Sequence, residues 1–168
     1  MVKIMISKFK LTLVFLFITT ITFAQVSPRT QVSGIAEDVV IDIDYGAPSV
    51  KNRTIWGELV PYGKVWRAGA NENTTVSFSE DVSIADTIVP AGKYGFFIIP
   101  NENDDWTVIL STKNDAWGSN RYNQENDLLR LKVTPVFENK SQEVLAYSVK
   151  ENKINFAWEK ARFTIPVN

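Results

Sequence analysis

Gly92-Lys93-Tyr94-Gly95-Phe96-Phe97-Ile98-Ile99-Pro100, then Asn101-Glu102-Asn103-Asp104-Asp105, then Trp106-Thr107-Val108-Ile109-Leu110 is the passage that decides the fold. The first piece is apolar on both sides of a period-two reading, so it predicts a central strand covered on both faces. The second is a polar turn. The third returns as the hairpin partner of the first. An acidic run such as 101–105 also offers oxygen ligands to Ca²⁺, but it lacks the spacing of a dedicated calcium loop, and a polar hairpin tip explains it better.

On either side the chain alternates. Val39, Ile41, Ile43 and Tyr45 share a face opposite Asp42 and Asp44. Thr74, Val76 and Phe78 oppose Thr75, Ser77 and Ser79, and Leu129, Leu131, Val133 and Phe137 oppose Arg130, Lys132 and Thr134. Ile154, Phe156 and Trp158, then Phe163, Ile165 and Val167, continue the pattern, with turns expected at Asn139 to Gln142, Glu151 to Lys153 and Glu159 to Lys160. One apolar face and one wet face is the mark of antiparallel sheet. Only Asn123 to Leu129 looks helical, as a short helix or turn. Eight to ten short strands predict an all-β, antiparallel β-sandwich, jelly-roll-like, with a partly closed barrel as the alternative.

The N-terminus reads differently. Lys3, Lys8 and Lys10 precede an uncharged apolar run, Leu11 to Phe23, and Thr22-Phe23-Ala24 supplies small residues before a cut. This is the layout of a secretory signal peptide over 1–24. The run is shorter than the roughly 20 residues of a membrane span. Residues 25–168 are then expected as one domain, exported and soluble, periplasmic or extracellular, with no transmembrane segment after leader removal. Removing three lysines from 18 basic residues leaves 15 against 19 acidic ones, so the net charge moves from −1 to −4. Such a surface has no general attraction for nucleic acid.

The chain has no cysteine and no histidine. That excludes a Ser-His-Asp triad, a Cys-His pair and any zinc site built on those ligands. No metal motif and no cofactor signature is present.

One segment, Tyr45 to Thr75 (YGAPSVKNRTIWGELVPYGKVWRAGANENTT), does not alternate and predicts a single long irregular loop. It holds four of the eight glycines and two of the five tryptophans. Arg53 and Arg67 can clamp a carboxylate or phosphate with planar paired hydrogen bonds. The competing reading is that each pairs with Glu58, Glu72 or an Asp and pins the loop. Trp56, Tyr62 and Trp66 offer stacking surfaces if exposed and core packing if not. Gly69, Asn71 and Asn73 suit turns, and Glu72 is the best acid/base candidate.

The blocks Tyr45-Gly46-x-Pro48-x-Val50-Lys51-x-Arg53, Ile55-Trp56-Gly57, Leu59-Val60-Pro61-Tyr62-Gly63-Lys64-Val65-Trp66-Arg67 and Gly69-Ala70-Asn71-Glu72 resemble a bacterial exported family known as domain of unknown function family 2911. Pro90-Ala91-Gly92-x-Tyr94, Trp106-Thr107-Val108 and Trp158-Glu159 are similar to its later blocks. Asn52 departs from the family pattern, which has Gly before the Arg. The resemblance implies a single exported domain and no activity.

The leading expectation is a binding module. Its site is built from Arg53, Trp66, Arg67, Asn71 and Glu72, with Trp56, Tyr62 and Lys64 at the rim, and it takes a small anionic molecule or a cell-envelope glycan. A hydrolase or lyase using Glu72 as acid/base with Arg67 stabilising negative charge is the alternative. A structural or partner-binding envelope role, with an exposed apolar patch or an unpaired edge strand, is the third.

Overall fold

The computed structural model describes residues 27–168, and the leader expected over 1–24 lies outside them. Ten strands follow in order: β1 (Arg29–Ala36), β2 (Val39–Gly46), β3 (Thr74–Phe78), β4 (Val82–Ile84), β5 (Thr87–Val89), β6 (Gly92–Ile99), β7 (Trp106–Ser111), β8 (Asp127–Val133), β9 (Val136–Lys150) and β10 (Lys153–Pro166). One short 3-10 turn, Gln124–Asn126, is what the helical reading of Asn123 to Leu129 becomes; Asp127 to Leu129 already belong to β8. Asn123 caps that turn, its side-chain oxygen accepting from the Glu125 N–H.

The main sheet has six antiparallel strands in the order β1-β2-β3-β6-β7-β8. It is open, with β1 and β8 at its edges, so the fold is a sandwich and not a closed barrel. Register builds the inner face. Ile43 stands opposite Val76, Val76 opposite Tyr94, Phe96 opposite Leu110, Ile98 opposite Val108 and Val108 opposite Leu131. Residues directly opposite share a face, so these side chains form one apolar layer. The strand predicted to be central, β6, is fourth of six, and Tyr94 to Ile98 are all buried. Its far side is covered by the segment after β7, where Tyr122 packs on Phe97 at 5.3 Å.

The second layer is made by β9 and β10, paired through a two-residue turn at Glu151 and Asn152, both in the left-handed region. That conformation suits the twist of a tight hairpin. Leu145, Tyr147 and Val149 from β9 and Ile154, Phe156 and Trp158 from β10 close the core against the main sheet. The two other expected turns lie opposite each other in this pair. Glu159 has φ 50, and the register slips on both sides of it. Phe156 and Phe163 stack 4.5 Å apart, although seven extended residues would span about 23 Å. Val167 donates to Asn152 O at 2.9 Å, so the chain doubles back near Glu159 and Lys160 inside β10. Asn139 to Gln142 falls at the same point: it lies within β9, with Gln142 opposite Glu159. There β9 stays paired with β10 on both sides, Ala146 with Ala157 and Phe137 with Ala161, so β9 bends back together with its partner. The run from Leu129 to Phe137 is broken at Thr134-Pro135, which puts the half-exposed Phe137 on a new strand.

Among the described residues no helix is long and apolar enough to cross a membrane.

Candidate functional site

The segment 47–73 joins β2 to β3 and closes one end of the sandwich. It is tied to both layers. Val50 donates to Glu143 O at 2.7 Å and Leu145 donates to Pro48 O at 2.9 Å, which fastens its start to β9. Trp66 then exchanges both backbone hydrogen bonds with Ile98, at 2.8 and 2.9 Å, and Gly63 donates to Pro100 O. The loop thus takes the place beside β6 that β3 vacates. Lys51 and Asn52 both have positive φ, 49° and 56°. Asn is among the few non-glycine residues that accept this region, so the backbone at 52 suits the Asn that stands where a Gly was expected.

The two loop tryptophans point inward. Trp66 lies nearly parallel to Trp158, with centroids 5.4 Å apart and planes at 19°. Trp56 meets Trp66, Trp106 and Trp158 at 5.9, 4.5 and 5.7 Å. Four of the five tryptophans therefore form one cluster under the loop. Trp66 Nε1 donates to Gly69 O at 3.1 Å, whereas the buried Nε1 atoms of Trp56 and Trp158 have no acceptor. Ala68, in the left-handed region, offers its carbonyl to the Tyr147 hydroxyl at 2.7 Å and to Thr74 Oγ1 at 3.1 Å. Burial raises the Tyr147 pKa well above its usual value, with the neighbouring Tyr45 adding to the effect.

Arg53, Trp66 and Arg67 are brought together around one recess of about 190 Å³, with Leu59, Ala70 and Trp158 among its walls. Two guanidiniums line it and, among the described residues, no carboxylate does. Arg53 is exposed. Its Nε and Nη2 donate to Val50 O and Ser49 O, which fixes where its guanidinium stands. Arg67 is half-buried and makes no ion pair or hydrogen bond among the described residues, and its buried Nε has no acceptor. Desolvation lowers its pKa from the usual value. A cation held this way costs free energy until something negative arrives.

The remaining expected site residues stand elsewhere. Asn71 donates to Ser27 O at 3.3 Å. Glu72 is exposed, 3.8 Å from Arg29, and lines a different recess beside Trp117, so Glu72 and Arg67 do not face each other. Tyr62 is half-buried against Gly57, where desolvation first, then Glu102 and Glu159, raise its pKa. Lys64 is exposed. Trp158, a wall of the recess, was legible only as a strand residue. Trp117 carried no periodic signal at all. No group of acidic side chains among the described residues is placed to hold a metal ion.

Fold and site together define an all-β sandwich whose longest loop builds a cationic recess over an aromatic core. The chain belongs to the family described as Protein of unknown function (DUF2911), whose profile matches residues 27–167. No curated protein and no solved structure matches the chain.

Proposed function

We propose that this protein is an exported, soluble binding module that holds a small anion with a short apolar part in the recess of Arg53, Trp66 and Arg67. The observation that carries this reading is the unpartnered Arg67 Nε, buried beside a recess with two guanidiniums and no acid. An incoming carboxylate or phosphate supplies acceptors for the terminal Nη donors of the two guanidiniums in a partly dry setting, where charge-assisted bonds are strong. Leu59 and Ala70 accommodate a small hydrocarbon portion. The volume is below that of the usual drug-sized pocket, so the ligand is small. The leader-like sequence at 1–24 supports export.

Thermal unfolding with inorganic phosphate, citrate and butyrate tests this. A ligand that binds only the folded state raises the midpoint. At least one of the three is expected to raise it in the wild type and not in Arg67→Met. A wild type indifferent to all three, or an Arg67→Met variant that responds equally, overturns the proposal.

A further inference from the structure

A second recess, distinct from the one that holds Arg67, lies on the outer face of the main sheet. It measures about 240 Å³ and is lined by Arg29, Glu72, Lys93, Asn114, Asp115 and Trp117, among others. Trp117 is the exception among the tryptophans, with 66 % of its surface exposed while the other four pack into the core.

Its backbone is held firmly. Trp117 pairs with Glu72 in an isolated antiparallel bridge. Asn73 N–H donates to Ala116 O at 3.0 Å, and Gly118 N–H donates to Asn71 O at 3.1 Å. Asn73 is 2 % exposed, and its side-chain amide, oriented by the carbonyls that face it, donates to Ala116 O at 3.1 Å and Gly118 O at 2.8 Å. Gly118, at φ 71, turns the chain away immediately after the indole. Three successive residues are thus clamped to the strand end while the ring between them stays uncovered. Exposing an indole forgoes a large burial gain, and clamping its backbone does nothing to recover it.

The polar groups around the ring are of both signs. Arg29 is fixed by Asp44, Nε to Oδ1 at 2.6 Å, and by Asn73 O at 3.0 Å, with Glu72 at 3.8 Å. Lys93 and Asp115 stand on the same rim, and Asn114 is anchored by its bond to Lys93 O at 2.7 Å. An anion would meet Glu72 and Asp115, and a cation would meet Arg29 and Lys93. A neutral molecule bearing many hydroxyls meets no repulsion, because each hydroxyl both donates and accepts. The apolar C–H face of a sugar ring matches the indole. A single ring set among charges is also far smaller than the contiguous apolar patch of a protein interface.

From this geometry we propose that the Trp117 recess is a carbohydrate subsite that takes one pyranose unit of a neutral glycan. The ring stacks on Trp117, and its hydroxyls bond to Glu72, Arg29, Lys93 and Asn114. The two recesses share no lining residue, and each proposal is tested with its own ligands and its own variant.

Tryptophan emission during titration with cellohexaose, chitohexaose and maltohexaose tests it. With at least one of them, the wild type is expected to show a saturable blue shift and loss of quenching by acrylamide, since Trp117 is the indole open to both. Trp117→Ala, which removes an exposed side chain and keeps the thermal midpoint, should bind roughly ten-fold more weakly, as expected for one stacking contact. Trp117→Tyr should retain most of the affinity. No saturable change with any of the three sugars, or equal affinity in Trp117→Ala measured by calorimetry, overturns the proposal. So does sedimentation showing self-association that Trp117→Ala abolishes, because the ring is then an interface residue.

Discussion

The indole of Trp66 lies parallel to that of Trp158 at 5.4 Å, joining the irregular loop to the second layer of the sandwich. Trp158 is 1 % exposed and also touches Trp56, so its removal leaves a void under the loop. Trp158→Ala is expected to cost about 3–5 kcal/mol, read from urea unfolding, and Trp158→Phe less. Near-ultraviolet circular dichroism of folded Trp66→Phe should lose the signal of the stacked pair. An unchanged spectrum counts against the contact.

Arg67 gives a prediction of opposite sign. Its guanidinium is half-buried and unpaired, so Arg67→Met keeps the stem and removes an uncompensated charge. Without added anions the variant should be more stable than the wild type by about 1 kcal/mol, the scale of one relieved unsatisfied donor. A loss of stability in urea titration would mean that Arg67 holds the loop together.

Alkaline stability should depend on Tyr122. Desolvation first, then its hydrogen bond to Asp127 and that residue's charge, push its pKa up from 10.0 to about 12, against a smaller opposing effect of Arg130. The hydroxyl donates to Asp127 Oδ2 at 2.6 Å and accepts from Arg130 Nη1 at 2.9 Å. As pH rises above 10 the unfolded chain loses this proton before the folded one. The unfolded state then binds fewer protons, and stability falls with pH. The contribution is complete below about pH 10 and is lost as pH rises through about 12. Urea midpoints across that window should fall less steeply in Tyr122→Phe, and an identical slope would refute the assignment.

Gly46 is where β2 hands over to the loop. A Cβ there would run into the carbonyl of Ala70, whose N–H donates to Gly46 O at 3.1 Å. Gly46→Ala is expected to cost about 1–3 kcal/mol through that overlap. Ala70 is a wall of the anion recess, so the folded variant should also lose the thermal response to anions. A variant that retains the response shows that the wall adapts.

The β6–β7 hairpin was legible because an apolar run broken by a polar turn leaves few alternatives. Edge strand β1 was not, since up to Ile35 its residues alternate only between exposed and half-buried and Gly34 interrupts them. The loop's composition marked it as unusual, but composition does not state direction. Ala68 and Asn71 both adopt left-handed backbone, with φ 52 and 64, and these bends carry Arg67 and Glu72 to different recesses although only four residues lie between them. Period-two reasoning has no purchase across such bends. Trp117 sits in an unpatterned stretch of small and polar residues. Its lone bulk there was the one signal that could have marked it.

The second layer is built from the last part of this sequence, Leu145 to Val167, and it covers side chains from strands that start at Val39. A chain that emerges N-terminus first therefore presents its main-sheet strands with a bare apolar face before their cover is available. The final hairpin is thus a timing device. Until it emerges there is no core to complete, and the unfinished sheet is the species that a chaperone would have to shield.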